Sequence, residues 1–375
     1  MKTIVIISDF LEHHTLPLCE SFLKQKDIKL FYFATCPTPS ERISFGYEDM
    51  NAKYDFVIPV FKKGKYEKKA RSILKTADLV IFGGVWGKYS KFCSKSHIPS
   101  MRISERFLKG RTNKFRVLLK VLKYKFLSRR EKNFLLLACG NYATQDFRLT
   151  ERYDGRILKF GYFPSVIFEN NQITKESNSI VWAGRFLDWK HPEYIVDLAK
   201  FLKEKDINFS LNVVGNGPFY DSIKSSAKSL DLDDKIRFFG SKNYLDVREI
   251  MRKSEIHIFT SDYNEGWGAV LNESMESKCI PIVNFEIGAS TFLIKNKENG
   301  FTYKTKEEFL KIVKDTLLAD SGVKEALKQN AYLTIKNLWN SDVCVERILK
   351  LLDMCENGRF TNLNTYDDGP LSLEN

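Results

Sequence analysis

Ser261-Asp262-Tyr263-Asn264-Glu265-Gly266-Trp267-Gly268-Ala269-Val270-Leu271-Asn272-Glu273 is the stretch on which the reading of this chain turns. It follows the apolar run Ile256–Phe259, which reads as a strand ending near Thr260, and it leads into a helix expected to begin near Ala269. Gly266 and Gly268 let the backbone approach a ligand closely just before that helix. A helix N-terminus offers free N–H groups and a partial positive charge, which suits a diphosphate. Read in isolation, the same residues are an ordinary helix start with surface carboxylates.

The alternation of strand and helix extends in both directions. Strands are expected at Ser179–Ala183, Phe209–Val214, Ile236–Phe239 and Ile280–Val283. Helices fill the gaps, as in residues 192–205, where Ile195, Leu198, Phe201 and Leu202 recur at helical spacing. The first half repeats the pattern, with strands at Thr3–Ile7, Lys29–Phe33, Phe56–Val60, Leu79–Phe82, Ser100–Ile103 and Phe134–Ala138, and a helix near Leu16–Gln25. Such alternation implies parallel sheets covered on both faces. At 375 residues the chain is too long for one ordinary core. A polar, weakly periodic stretch within residues 161–179 divides it. The expected architecture is α/β: two Rossmann-like, doubly wound parallel-sheet domains facing a cleft. Residues 1–165 form the first and 166–340 the second. Residues 341–375 supply a helix returning to the first domain and a polar tail, loosely held from Glu356.

Three further motifs lie around the opening stretch. Gly184 ends the strand after Val181, and it is followed by Arg185 and, five residues on, Lys190. Val213-Val214-Gly215-Asn216-Gly217-Pro218 is a strand and a tight turn. Phe285-Glu286-Ile287-Gly288-Ala289-Ser290-Thr291-Phe292 precedes Glu298-Asn299-Gly300.

In this order the motifs resemble the signature of the family 4 retaining glycosyltransferases of the GT-B fold, in which two glutamates are separated by seven residues, here Glu265 and Glu273. The resemblance covers residues 180–300 well and the first half loosely. It implies that Glu265 contacts the donor sugar and that Glu273 holds the ribose hydroxyls. Eight helical residues span at most about 12 Å, roughly the reach from a sugar across two phosphates to a ribose. Arg185 and Lys190 would clamp the pyrophosphate and balance the charge that builds on the leaving nucleoside diphosphate. Gly215, Gly217, Gly266, Trp267, Gly268 and Gly288 would line the donor site, and Phe239-Gly240 resembles the strand end that supports the base. Relatives carry a second glycine and then a glutamate where this chain has Ala289 and Phe292. The resemblance further implies a nucleotide-sugar donor, a UDP-sugar by family habit, no other cofactor and no metal. Asp231-Leu232-Asp233 has the form of a metal motif but lies in a polar turn.

The first half resembles a subgroup of bacterial surface-polysaccharide transferases in its His13-His14 pair, in Ser40-Glu41-Arg42, in Arg102 to Arg106 and in Gly161 to Pro164. The histidines follow the first strand, where open α/β sheets place ligands. His14 is the candidate to orient an acceptor hydroxyl or help remove its proton, the alternative being a helix-entry histidine bonded to backbone. Arg102, Ser104, Glu105 and Arg106 either face the cleft or form an internal ion pair. The implied acceptor is a saccharide or lipid-linked saccharide in cell-surface or capsular polysaccharide synthesis.

The formal net charge is +12, and residues 109–132 hold ten Lys or Arg against Glu131 alone. Within 114–130, Phe115, Leu118, Leu119, Leu122 and Phe126 share one helical face and the cations lie away from it. A basic amphipathic helix of this kind suits an anionic membrane surface, though ordinary helices also bury one stripe. With no apolar run approaching a span of roughly 18 residues and no secretory leader, the chain is expected in the cytoplasm, peripheral on the inner face of the plasma membrane. Seven scattered cysteines fit free thiols in a reducing compartment. No Cys or His cluster has zinc spacing. The rival readings are a basic nucleic-acid-binding protein or another nucleotide-binding α/β protein. No nucleic-acid module is recognisable, so no nucleic-acid partner is expected. No Gly-x-Gly-x-x-Gly follows the first strand, which argues against a dinucleotide oxidoreductase.

Overall fold

The computed structural model describes residues 1–40, 43, 48–84, 87–110, 113–165 and 174–374. Glu41 and Arg42, Arg111, and residues 166–173 of the expected boundary lie outside the described residues. The chain divides into two units, Met1–Ser165 with Trp339–Asn375, and Val166–Leu338.

In the first unit the described strands are β1 (Lys2–Ser8), β2 (Ile28–Ala34), β3 (Val57–Pro59), β4 (Leu79–Gly83), β5 (Ser100–Ser104), β6 (Leu135–Cys139) and β7 (Ile157–Phe160). They form one parallel sheet in the order β3-β2-β1-β4-β5-β6-β7. Ile4, Val5, Ile6 and Ile7 are all buried, which is why β1 reads as an unbroken apolar run: helices cover both faces of the sheet. Each such side chain contributes about 1.5–3 kcal/mol on burial.

The second unit repeats the plan with β8 (Ser179–Ala183), β9 (Ser210–Val214), β10 (Ile236–Gly240), β11 (Ile256–Phe259), β12 (Ile280–Asn284) and β13 (Phe301–Tyr303). Their order is β10-β9-β8-β11-β12-β13, again parallel among the described residues. In each sheet the chain first winds outward from its opening strand and then reverses, leaving a switch point between β1 and β4 and between β8 and β11. The helix Glu193–Glu204 buries Ile195, Val196, Leu198, Ala199 and Leu202 against the second core.

The C-terminal segment belongs to the first unit. The helix Ser341–Asp353, capped by the Asn340 side chain accepting from Val343 N–H, buries Cys344, Val345, Ile348, Leu351 and Leu352. It meets the helix Leu16–Leu23, where the Ser21 hydroxyl donates to Asp342 at 2.5 Å and Lys24 pairs with Asp342 at 3.0 Å. The tail after Glu356, expected to be loose, is tied down. Lys159 N–H donates to Ser372 O at 2.9 Å and Leu371 N–H to Lys159 O at 2.8 Å, so the tail lies along β7. Leu371 is fully buried, and Arg347 donates to the Asp368 and Pro370 carbonyls. Among the described residues no helix is long and apolar enough to cross a membrane.

Candidate functional site

Open α/β sheets hold ligands outside the carboxyl ends of their strands, at the switch point. In the second unit that place is where β8 and β11 end, and the two opening motifs run together there. β8 leads through Gly184 and Arg185 to Lys190, and β11 leads through Thr260 and Ser261 to Glu265. The Lys190 ammonium donates to Glu265 Oε2 at 2.6 Å, both side chains being largely but not fully buried. Ser261 Oγ donates to the same oxygen at 3.1 Å. Lys190 Nζ also stands 4.5 Å from the Trp189 ring centre. The two loops are tied by main-chain and side-chain bonds: Asp262 N–H to Trp189 O at 2.9 Å, Thr260 Oγ1 to Lys190 O at 2.6 Å, and Trp182 Nε1 to Thr260 Oγ1 at 2.9 Å. Lys190 and Glu265 are therefore one charge-assisted pair held from three sides.

Arg185 differs. It is exposed and makes no ion pair among the described residues. Its guanidinium stays available to an anion.

The glycines have causes in the chain's own packing. A β-carbon on Gly215 falls 1.8 Å from Gly184 O, and one on Gly217 falls 2.8 Å from Phe186 N and O. The 215–218 turn lies flat on the 184–186 loop, with Gly184 N–H donating to Val214 O and Phe186 N–H to Asn216 O, both at 3.0 Å. Gly268, at φ +90°, meets the Phe259 ring at 2.7 Å. Gly288 meets Gly266 O at 1.9 Å, and its N–H donates to Glu265 O at 3.3 Å. Gly288 thus seats the loop that carries Glu265. Protein backbone and the Phe259 ring thus come close to Gly215, Gly217, Gly268 and Gly288.

Trp267 is also placed by packing. Its indole is only 1% exposed, donates from Nε1 to Asn272 Oδ1 at 2.8 Å and sits 6.0 Å from Phe292. Packing thus fixes the indole inside the loop that carries Glu265. Phe292 turns inward toward it, so the position where the resemblance leads to an acid being expected is here part of the same apolar wall.

The helix Ala269–Glu276 begins at Gly268 without a side-chain cap. Glu273, on this helix, is 8% exposed, and burial pushes its carboxyl up to about 7, opposed by the Arg248 charge. Arg248 is fully buried; it pairs with Glu276 and donates to the Tyr244 hydroxyl at 2.8 Å. Arg248 lies in no motif of the sequence, and Ser261 and Trp189, though inside motifs, carry no spacing that marks them as partners of Glu265 and Lys190.

In the first unit, the motifs after β1, β5 and β7 meet. The His14 ring stacks on Tyr162 at 5.5 Å and lies 3.8 Å from His13. The Tyr162 hydroxyl donates to Glu105 Oε1 at 2.7 Å, and burial with the Glu105 charge holds that phenol protonated. Glu105 also pairs with Lys109. Arg102 does not join this group. It is fully buried, bonded to Glu131, which also accepts from Tyr153 at 2.5 Å. Arg106 pairs with Asp146 at 3.5 Å and lies over the Tyr142 ring. Both arginines therefore follow the internal ion-pair alternative.

Residues 165–334 match the model of a family described as Glycosyl transferases group 1. An uncharacterized glycosyltransferase of Haemophilus influenzae is 30% identical over 140 residues, which is 37% of this chain and 38% of that protein. A capsular polysaccharide biosynthesis glycosyltransferase, CapH, of Staphylococcus aureus is 24% identical over 171 residues, 45% of each chain. The matched stretches thus span under half of either relative. Among solved structures, Anabaena Alr3699/HepE in complex with UDP overlays with a TM-score of 0.67 at 13% identity, covering 95% of this chain and all of that one. WaaG, a glycosyltransferase involved in lipopolysaccharide biosynthesis, overlays with a TM-score of 0.58 at 15% identity, covering 94% of this chain and 99% of that one. At these identities the structural likeness is one of fold, and that fold is GT-B.

Proposed function

We propose that this chain is a retaining glycosyltransferase. It moves a sugar from a nucleoside diphosphate, UDP by preference, to a saccharide or lipid-linked saccharide in cell-surface polysaccharide synthesis. The observation that carries this reading is the Lys190–Glu265 pair at the β8/β11 switch point, beside the unpaired Arg185. The group 1 match over this unit supports it, and the relative named for capsular polysaccharide supports its finer part.

Arg185 and Lys190 take the diphosphate, and the uncapped first turn of Ala269–Glu276 adds N–H donors. Lys190 has three N–H bonds and gives one to Glu265, so a phosphate oxygen can share the ammonium without breaking the pair. Glu265, oriented by Lys190 and Ser261, accepts from sugar hydroxyls; Glu273 accepts from the ribose. As the bond from the anomeric carbon to the diphosphate breaks, negative charge collects on the leaving oxygen, where the two cations and the amides stabilise it. Those groups carry the charge balance, so a metal is not required and chelation by EDTA leaves turnover unchanged. His14, stacked on Tyr162, orients the acceptor. The helix Lys114–Leu127 rests on the anionic inner face of the plasma membrane, on the cytoplasmic side.

A thermal-shift panel of nucleotide sugars tests the reading. One UDP-sugar at about a hundred times its Kd adds about 2.7 kcal/mol, a rise of several degrees. The rise disappears in Glu273→Ala. No rise with any nucleotide sugar contradicts the proposal.

A further inference from the structure

Sugar transfer leaves one cluster of the first unit unused. A pocket of about 230 Å³ is lined by Lys91, Ser94 and Lys95 from the helix Lys88–Lys95, and by Arg129, Arg130 and Lys132 from the segment that follows the helix Lys114–Leu127. None of the five cations makes an ion pair among the described residues. The one acid nearby in sequence, Glu131, is buried and already bonded to Arg102 and Tyr153, so it does not neutralise them. Lys91 and Lys95, four residues apart on one helix, repel each other. The fold holds five like charges together with nothing of its own to balance them.

The pocket adjoins an apolar surface. The helix Lys114–Leu127 packs on its core through Val121 and Tyr124, the latter stacked on Phe107 at 4.1 Å. Its wider stripe, Phe115, Leu118, Leu119, Leu122 and Phe126, faces outward, each side chain at least 50% exposed. The stripe and the pocket meet at one contact. The Arg129 guanidinium, a wall of the pocket, lies 3.5 Å over the Phe126 ring and donates to Phe126 O at 2.7 Å.

An apolar stripe ending at an unbalanced cationic pocket matches an anionic amphiphile: acyl chain on one side, phosphate on the other. We infer that the Lys91/Lys95/Arg129/Arg130/Lys132 pocket binds the head-group phosphates of an anionic bilayer while the Phe115–Phe126 stripe enters its acyl region. Arg129 and Arg130 supply forked donors to phosphate oxygens and the lysines supply point charges. This inference rests on the membrane placement proposed above and adds a specific head-group site to it.

The test uses the full chain in cosedimentation with vesicles of phosphatidylcholine containing about 30% phosphatidylglycerol, and with pure phosphatidylcholine vesicles. The wild type binds the first and not the second. Lys95→Gln with Arg130→Gln weakens binding by about tenfold or more, whereas Lys68→Gln with Lys69→Gln, which removes two exposed charges elsewhere on the same unit, weakens it by no more than about twofold. Leu118→Ser with Leu122→Ser abolishes it. Melting curves confirm that each variant folds, and Lys91→Gln with Lys132→Gln replaces the first pair if it does not. Equal losses in the pocket and control pairs overturn the head-group site but leave the membrane placement standing. No binding of the wild type to anionic vesicles overturns both. Unchanged binding in the leucine pair overturns the stripe, and retention on duplex DNA without vesicle binding assigns the charge to nucleic acid instead.

Discussion

Glu273 carries a titration that its position makes readable. Burial raises its carboxyl from the ordinary 4.5 to about 7, with Arg248 opposing. The unfolded chain therefore releases this proton near pH 4.5 and the folded chain near 7. The neutral carboxyl's contribution is complete below about pH 4.5, falls as pH rises and is gone above about 7. Glu273→Gln, which cannot ionise, gains on the wild type by about 2–3 kcal/mol between pH 4.5 and 8. Urea unfolding at both pH values measures the difference, and a pH-independent gap contradicts the buried-carboxyl account. Ribose hydroxyls donating to this group favour its ionised form, so UDP binding near pH 7 releases a proton. Calorimetry in buffers of different ionisation enthalpy reads that release, which Glu273→Gln removes.

At the scale of elements, what fixes the site is loop against loop. Gly215 lies where any β-carbon strikes Gly184 O, and its φ of +130° is one that other residues rarely adopt. Gly215→Ala costs about 3 kcal/mol and lowers the Tm of the second unit's transition by about 6–12 °C, because the 184–186 loop must move. A melting curve within a degree of wild type contradicts this reading of the turn. Sequence showed the strands that are runs of apolar residues, such as Ile4–Ile7, because two-sided burial writes itself as composition. It missed β7, where Lys159 interrupts the run, and β13, with only three residues. It misjudged the tail, which docks by main-chain bonds that leave no periodic pattern. The motif residues of the second unit were legible, yet their pairing was not. Lys190 and Glu265 stand 75 positions apart and meet only because β8 and β11 are neighbours. The same limit applies to Arg102, within β5, and Glu131, just before β6, and to Trp267, whose indole turned inward.

Across the whole molecule, two sheets of the same strand order present two sets of polar side chains at equivalent ends. Histidines, Tyr162 and Glu105 gather in the first unit, and the Lys190–Glu265 pair with Arg185 in the second. The division suits the proposed two-substrate reaction, with donor chemistry kept to the unit that holds Arg185 and Lys190. The measurement that tests this most directly is a crystal structure of the full chain soaked with a UDP-sugar. The account predicts the diphosphate against Arg185, Lys190 and the first turn of Ala269–Glu276, with Glu265 bonded to the sugar and Glu273 to the ribose. Nucleotide density elsewhere, or either glutamate without a bond to the donor, contradicts it.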